Sequence, residues 1–316
     1  MNVLSKRRSR AEWIDVGFVP VILLAVVVAL AFLSPYFLTG RNLAEILQQA
    51  AILGIVSVGT TFVIIGGDLD LSIGANVAVS GVVCGLAMSA SNNNVLAGVV
   101  AGLACGSLIG FINGIVSTRL RVPAFVATLG MLVIGQGVAL TLTNGASISN
   151  LPDSFGTLAN ARLLGLPTLV WWMFLIFFVG WLALHRTVFG IRTFAVGGNR
   201  EAARLAGLNV DAVRIANFVV AGLSGGIGGV LLAARVQAAQ PTGGEIFTLY
   251  ATAAVILGGT SLYGGRGSIL RTILGVALIA LLENGLELLG VAYSNQQIAV
   301  GIVFIIAASS EFIRRR

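Results

Sequence analysis

The stretch VIIGGDLDLSIGANV, Val63 to Val77, decides how this chain is read. An apolar run meets a glycine pair, passes Asp68 and Asp70, and becomes apolar again. The whole chain has only 12 acidic residues, so two of them here need a physical reason. Gly66 and Gly67 let the backbone leave helical geometry, which hydrocarbon tolerates only beside protein or a water-filled cavity. An aspartate at the centre of a spanning helix costs about 2.5–3.5 kcal/mol on insertion scales. The stretch is therefore read as a break between two membrane helices, near the membrane boundary. Asp70, with Ser72, has two readings. It caps the second helix, where a carboxylate suits orphan N–H groups and the dipole, or it lines a gate or path.

Composition extends this reading to the whole chain. Of 316 residues, 57% are hydrophobic and 10% charged, and mean hydropathy is +0.98. Soluble domains carry about 25% charged residues. Apolar runs of helix-spanning length recur from end to end. The expectation is an all-α integral membrane protein with ten transmembrane helices, broken helices and inverted repeats. The spans are read at 14–34, 43–65, 73–91, 95–117, 124–143, 167–184, 213–235, 248–260, 271–290 and 297–313, the eighth being short and broken or tilted. Residues 1–13 form a basic tail, and 14–316 a single polytopic domain with a long loop at 185–212. The apolar run Val16–Leu33 exceeds the 7–15 residues of a signal-peptide core, so it reads as an uncleaved first helix.

Charge sets the orientation. With the tail in the cytoplasm, only Arg41, Arg162 and Arg235 of the 19 Lys and Arg fall outside. The positive-inside rule then places both termini in the cytoplasm. The net charge of +7 follows from topology, without nucleic-acid binding. Lys6 is the only lysine, so no Walker A loop or intramembrane Schiff base exists. His185 is the only histidine, which removes multi-histidine metal sites. Cys84 and Cys105 read as small packing residues. LSGGI, Leu223–Ile227, imitates an ATPase signature but lies in an apolar span and reads as packing glycine. Gly98, Gly102, Gly106, Gly110 and Gly114, like Ala221, Gly225, Gly229 and Ala233, recur every four residues. Such faces let helix backbones approach closely.

A second break, VQAAQPTGGEIF, carries Gln240, Pro241 and Thr242 before Gly243 and Gly244. If spans two to five and seven to ten are inverted repeats, the two breaks correspond on opposite sides, a pointer to a transport path. Polar residues inside spans are the other path candidates: Gln48, Gln49, Asn76, Asn113, Gln136, Glu283, Asn284 and Glu287. Each reads first as an interhelical hydrogen bond and second as path lining. In the long loop, Asn199–Leu208 alternates as a short amphipathic helix, with Ala202, Leu205 and Ala206 on one side and Arg200 and Arg204 on another. It reads as a docking surface or a solvated connector.

EAARLAG, Glu201–Gly207, resembles the EAAxxxG element of permease subunits of ABC importers. GGDLDLSIG resembles the GGIDLSVG signature of the ribose-, arabinose- and xylose-type sugar permeases. RVPAFVATLGML, AQPTGGE, AVILGGTSLYGGRGS and ENGLELLGV follow in the same order as in that branch. The IxLP ending of many EAA loops is absent, and Glu283 and Glu287 stand where ribose-type members often have asparagine. The usual GGID is one residue longer here, which leaves Asp68 off register and reading as loop. The resemblance implies an import pore for a monosaccharide such as a pentose or hexose, in a bacterial inner membrane. Asn199, Arg200, Glu201, Ala202, Ala203, Arg204, Leu205 and Gly207 would couple it to a separate ATPase subunit that holds ATP and Mg. A periplasmic or lipid-anchored sugar-binding protein and a second permease, identical or related, complete the set. The chain itself would bind no cofactor or metal and be no enzyme. The alternative is an ion-gradient-driven transporter using Asp68, Asp70, Glu283 and Glu287; a membrane enzyme acting on lipids lacks the residues it needs.

Overall fold

A computed structural model describes residues 10–313; Lys6, Arg7, Arg8 and Arg314 to Arg316, used for the orientation above, lie outside the described residues. The helices are α1 (Arg10–Leu33), α2 (Gly40–Ile65), α3 (Ile73–Ala90), α4 (Val95–Thr118), α5 (Ala124–Thr143) and α6 (Asp153–Asn160). A two-residue hairpin, β1 (Arg162–Leu163) and β2 (Leu166–Pro167), leads to α7 (Thr168–Arg186), α8 (Val188–Gly198) and α9 (Arg200–Leu205). The rest is α10 (Val210–Val236), α11 (Glu245–Leu257), α12 (Ile269–Leu288) and α13 (Tyr293–Ile313). Among the described residues, seven helices are long and apolar enough to cross a membrane: α2, α3, α4, α5, α7, α10 and α12.

Polar side chains set the ends of these apolar rods. Thr39, Asn94, Asn199 and Asn209 each accept a hydrogen bond from the backbone N–H three residues on, starting α2, α4, α9 and α10. At the start of α7, Trp171 and Trp172 donate their indole N–H groups to the Leu163 and Leu158 carbonyls. These bonds hold the hairpin and α6 against the helix.

The centre is α10 packed on α2, α3 and α4. From Ala50 to Ile65 every residue of α2 is buried. On α4, by contrast, the buried face is largely glycine, Gly98, Gly102, Gly106, Gly110 and Gly114, while Leu96, Val100, Leu108 and Phe111 point outward. This inverts the pattern of a soluble helix. Lipid is as apolar as leucine, so close backbone packing decides which face turns inward. The partner stripe on α10 is Gly222 and Gly226: a Cβ on Gly222 would lie 2.8 Å from the Gly110 Cα. Gly225 and Gly229 of the stripe read from sequence face Asn76, Val77 and Gly81 of α3 instead, and Gly228 faces Val56 of α2. The LSGGIGG run thus serves three helices at once. We expect Gly222→Val to cost about 1–3 kcal/mol or more through overpacking. A lower melting midpoint and loss of the monodisperse peak on size exclusion would register it.

Both breaks exist. After α2 the chain runs unhelically from Gly66 to Ser72, and between α10 and α11 it does so from Gln237 to Gly244. Ala239 pairs with Ile148 and sits against Gly85, while Gly244 lies against Gly74 and Ala78. The second break therefore runs alongside α3 toward its N-terminus, which is why α11 is short. The first turns of α3 and α11 meet there, with the Gly74 amide donating to Thr248 Oγ1 at 3.1 Å.

Candidate functional site

Asp68, read from sequence as loop, is the most heavily bonded carboxylate among the described residues. Its Oδ2 accepts from Arg214 Nε at 2.7 Å, and its Oδ1 from Arg214 Nη2 and Arg200 Nη2, both at 2.9 Å. Arg200 also donates to the Gly67 carbonyl at 2.7 Å. The clasp thus joins the first turn of α9 and the first turn of α10 to the break after α2. The two arms differ in weight. The Asp68 and Arg214 side chains are 7% and 11% exposed, so their bidentate pair is nearly dry, whereas Arg200 at 41% remains wet. Exposed pairs are worth about 0–1 kcal/mol, while losing one partner of a buried pair costs about 3–5 kcal/mol.

Beneath the clasp three glycine pairs meet backbone to backbone. A Cβ on Gly264 would fall 2.7 Å from both the Gly67 Cα and the Gly197 carbonyl oxygen. On Gly265 it would meet the Gly198 Cα at 2.6 Å, and the Gly265 amide donates to the Ile65 carbonyl at 2.8 Å. The pairs at 66–67, 197–198 and 264–265 thus bring the end of α2, the end of α8 and the loop after α11 into one junction. α2 and α11 also end alike. Gly67 and Gly259 adopt φ of +78° and +79°, and Asp68 N and Thr260 N reach back to the Val63 and Val255 carbonyls. This is a Schellman ending, which needs a glycine at the left-handed position. The signal was present as VIIGG and VILGG, with two further glycine pairs, but nothing in the order of residues says that the pairs touch.

The loop at 185–212 holds two helices, not the single one expected. Within α9 the buried residue is Ala203, which packs with Val196, Val210, Val213 and Leu208. The side read as apolar from spacing, Ala202, Leu205 and Ala206, faces outward, with Leu205 81% exposed. Glu201, Arg204 and Gly207 are exposed as well. Gly207 has φ of +80° and closes the helix with its N–H on the Arg204 carbonyl.

The path candidates separate into two groups. Asp70 accepts from the Ser72 amide at 2.8 Å and the Ser72 hydroxyl at 2.6 Å, and Asn113 donates to that hydroxyl at 2.8 Å. Asp70 thus organises the turn into α3 through Ser72, the residue in the cap position. Asn76 donates to the Gly106 and Gly222 carbonyls, each at 3.2 Å, and ties α3 to α4 and α10. Asn284 exchanges two 2.9 Å hydrogen bonds with Asn42, a partner that the sequence reading missed. These buried amides are interhelical ties. In the second group, Gln48, Gln49 and Glu283 are half-buried and Glu287 is exposed, with Gln49 donating to Glu287 at 3.1 Å. In the second break Gln240 and Thr242 are exposed and Pro241 is buried.

A bundle of long apolar helices interrupted by two breaks, with a short exposed helix clasped to one of them, is the architecture of a membrane permease subunit. The chain belongs to the family described as branched-chain amino acid transport system / permease component, whose pattern matches residues 42–308. It is similar to the ribose import permease protein RbsC of Escherichia coli K12, 40% identical over 97% of this chain and 96% of that one. It is also similar to the ribose import permease protein RbsC of Bacillus subtilis 168, 40% identical over 90% and 89% of the two chains. The L-arabinose ABC transporter permease protein AraH of Azospirillum brasilense is 33% identical over 93% and 86%. No solved structure matches the chain. The chain is thus the permease component of an ABC import system, a transport subunit and not an enzyme, multi-pass in a bacterial inner membrane.

Proposed function

We propose that the chain forms the translocation pore for a monosaccharide, a pentose or hexose, and is driven by a separate ATPase subunit that docks on α9. The observation that carries the coupling half is the exposed face of α9, held by the Asp68 clasp to the break after α2. The cargo half rests on the relatives, since two of those named above are ribose import permease proteins and another is an L-arabinose permease. A sugar-binding protein, periplasmic or lipid-anchored, delivers the cargo, and a second permease copy or a related permease completes the pore.

In this reading residues 14–316 act as one unit with ten spans, α1, α11 and α13 joining the seven long ones. The tail 1–13, both termini and the loop 185–212 face the cytoplasm. α2 to α5 and α10 to α13 form inverted repeats. The pairing of helices supports this: α4 packs on α10 as α12 does on α2, α3 on α10 as α11 on α2, and α5 on α3 as α13 on α11. Gly66, Gly67, Asp70, Ser72 and the segment Gln240–Thr242 then form matched gate segments. Gln48, Gln49, Glu283 and Glu287 line the path, with Asn76, Asn113 and Asn284 bracing it. ATP-driven closure of the ATPase pair pushes α9, and the clasp passes the movement to the first gate segment.

The test is affinity purification of the tagged chain in mild detergent. An ATPase subunit should accompany it at stoichiometric ratio, and scrambling Glu201–Gly207 should remove that subunit. Gly207→Pro and Arg204→Glu should each abolish uptake while leaving membrane insertion unchanged. Normal uptake in both variants would sink the coupling assignment. The gradient-driven alternative predicts transport by the chain alone in liposomes without ATP. Three of its four carboxylates are already engaged, Asp68 with two arginines, Asp70 with Ser72 and Glu287 with Gln49.

A further inference from the structure

The end of the bundle that carries α9 holds an open cavity of about 700 Å³. Its walls come from the turn between α4 and α5, the break after α2, α9 and the first turn of α10. Such a volume lies within the range of small-molecule sites, about 300–1,000 Å³. Four guanidinium groups line it, from Arg121, Arg200, Arg204 and Arg214, against two carboxylates, Asp68 and Asp211. Asp68 is committed to Arg200 and Arg214. Arg204 reaches only Glu201 on its own helix, at 3.9 Å, and Arg121 forms no ion pair among the described residues. The wall therefore carries uncompensated positive charge. It also carries unused hydrogen-bonding capacity: Ser117 is 97% buried at the cavity, and its hydroxyl has no partner.

Planar guanidinium forks with several parallel N–H donors match the oxygens of a phosphate monoester, and charge-assisted bonds of this kind are about twice as strong as neutral ones. A neutral sugar would leave that charge unanswered. We propose that this cavity binds a sugar-sized organic phosphate from the cytoplasm. Its phosphate competes with Asp68 for Arg200 and Arg214 and so loosens α9 from the gate segment. Binding is a property of the cavity alone, whereas its effect on transport rests on the coupling role proposed above. A phosphorylated derivative of an imported sugar, accumulating inside, would then slow further entry.

Two measurements test this. Isothermal titration of the purified full chain in nanodiscs uses ribose 5-phosphate, with inorganic phosphate as the size control and ribose as the neutral control. Ribose 5-phosphate should bind at submillimolar concentration, inorganic phosphate more weakly, and ribose not at all. Arg121→Gln should weaken the first at least about tenfold. In proteoliposomes holding the complete transporter, internal ribose 5-phosphate should slow uptake by wild type and leave Arg121→Gln unaffected, with equal basal uptake in both. The site is overturned by equal binding of the variant, by equal affinity for inorganic phosphate, or by no binding at all. It is also overturned if adding the ATPase subunit abolishes binding, since the ATPase would then fill the cavity. If wild-type complexes bind ribose 5-phosphate yet carry no sugar, the proposed function fails and the site stands.

Discussion

Asp68→Asn should leave ATP hydrolysis by the assembled transporter within about twofold of wild type and reduce uptake at least tenfold. The side chain keeps its shape and loses its charge, so Arg214, with its side chain 11% exposed, is left with an uncompensated charge. Breaking a buried pair in this way costs about 3–5 kcal/mol, enough to favour conformations in which the break after α2 no longer follows α9. The two arms predict a ranking. Arg214→Gln should resemble Asp68→Asn, because it breaks the dry bidentate arm. Arg200→Gln should be milder, because that side chain is 41% exposed and its pair is screened by solvent. Uptake and hydrolysis measured together on the three variants decide it. Wild-type uptake in Asp68→Asn would remove the clasp from the coupling path. Equal losses of uptake and hydrolysis in all three would mark it as a folding contact alone.

Gly197→Ala should cost most of the assembled, functional protein, while Gly198→Ala next to it should be near neutral. A Cβ on Gly197 would drive into the Ile65 carbonyl and lie 2.8 Å from the Gly265 amide nitrogen, and both neighbours are backbone that cannot rotate away. On Gly198 the same atom meets nothing within 4 Å. Gly264→Ala should match Gly197→Ala and add strain, since its φ of +83° is disfavoured for a residue with a Cβ. Yield of monodisperse protein and uptake per molecule are the readouts. If Gly197→Ala and Gly198→Ala behaved alike, the three-way backbone junction would not exist in the membrane.

How far the sequence carries can be judged from particular residues. Hydropathy alone announces the long spans, because a bilayer demands internally bonded apolar helices of fixed length. The two breaks are visible as Gly66–Gly67 and Gln240–Gly244, because glycine and proline are where a helix can stop. Asn76, Asn113 and Asn284 were visible as polar groups inside spans. That they tie helices together depends on partners up to 242 positions away, such as Asn42. The amphipathic reading of α9 did not say which side packs inward. Over six residues, spacing cannot tell the face that packs on Val196 and Val213 from the face that awaits a partner.

By itself, then, the sequence determined that this protein lives in a membrane, that its helices pack through glycine faces, and that it belongs among permeases. Those properties are local, set by transfer free energy, by the absence of a Cβ and by short motifs. Only the tertiary structure decided that Asp68 is a clasp rather than loop, that three glycine pairs form one junction, and that four arginines surround a cavity. Each of these depends on side chains and backbones brought together from positions far apart in the chain, and a carboxylate's meaning is set by which cations the fold places within 3 Å of it.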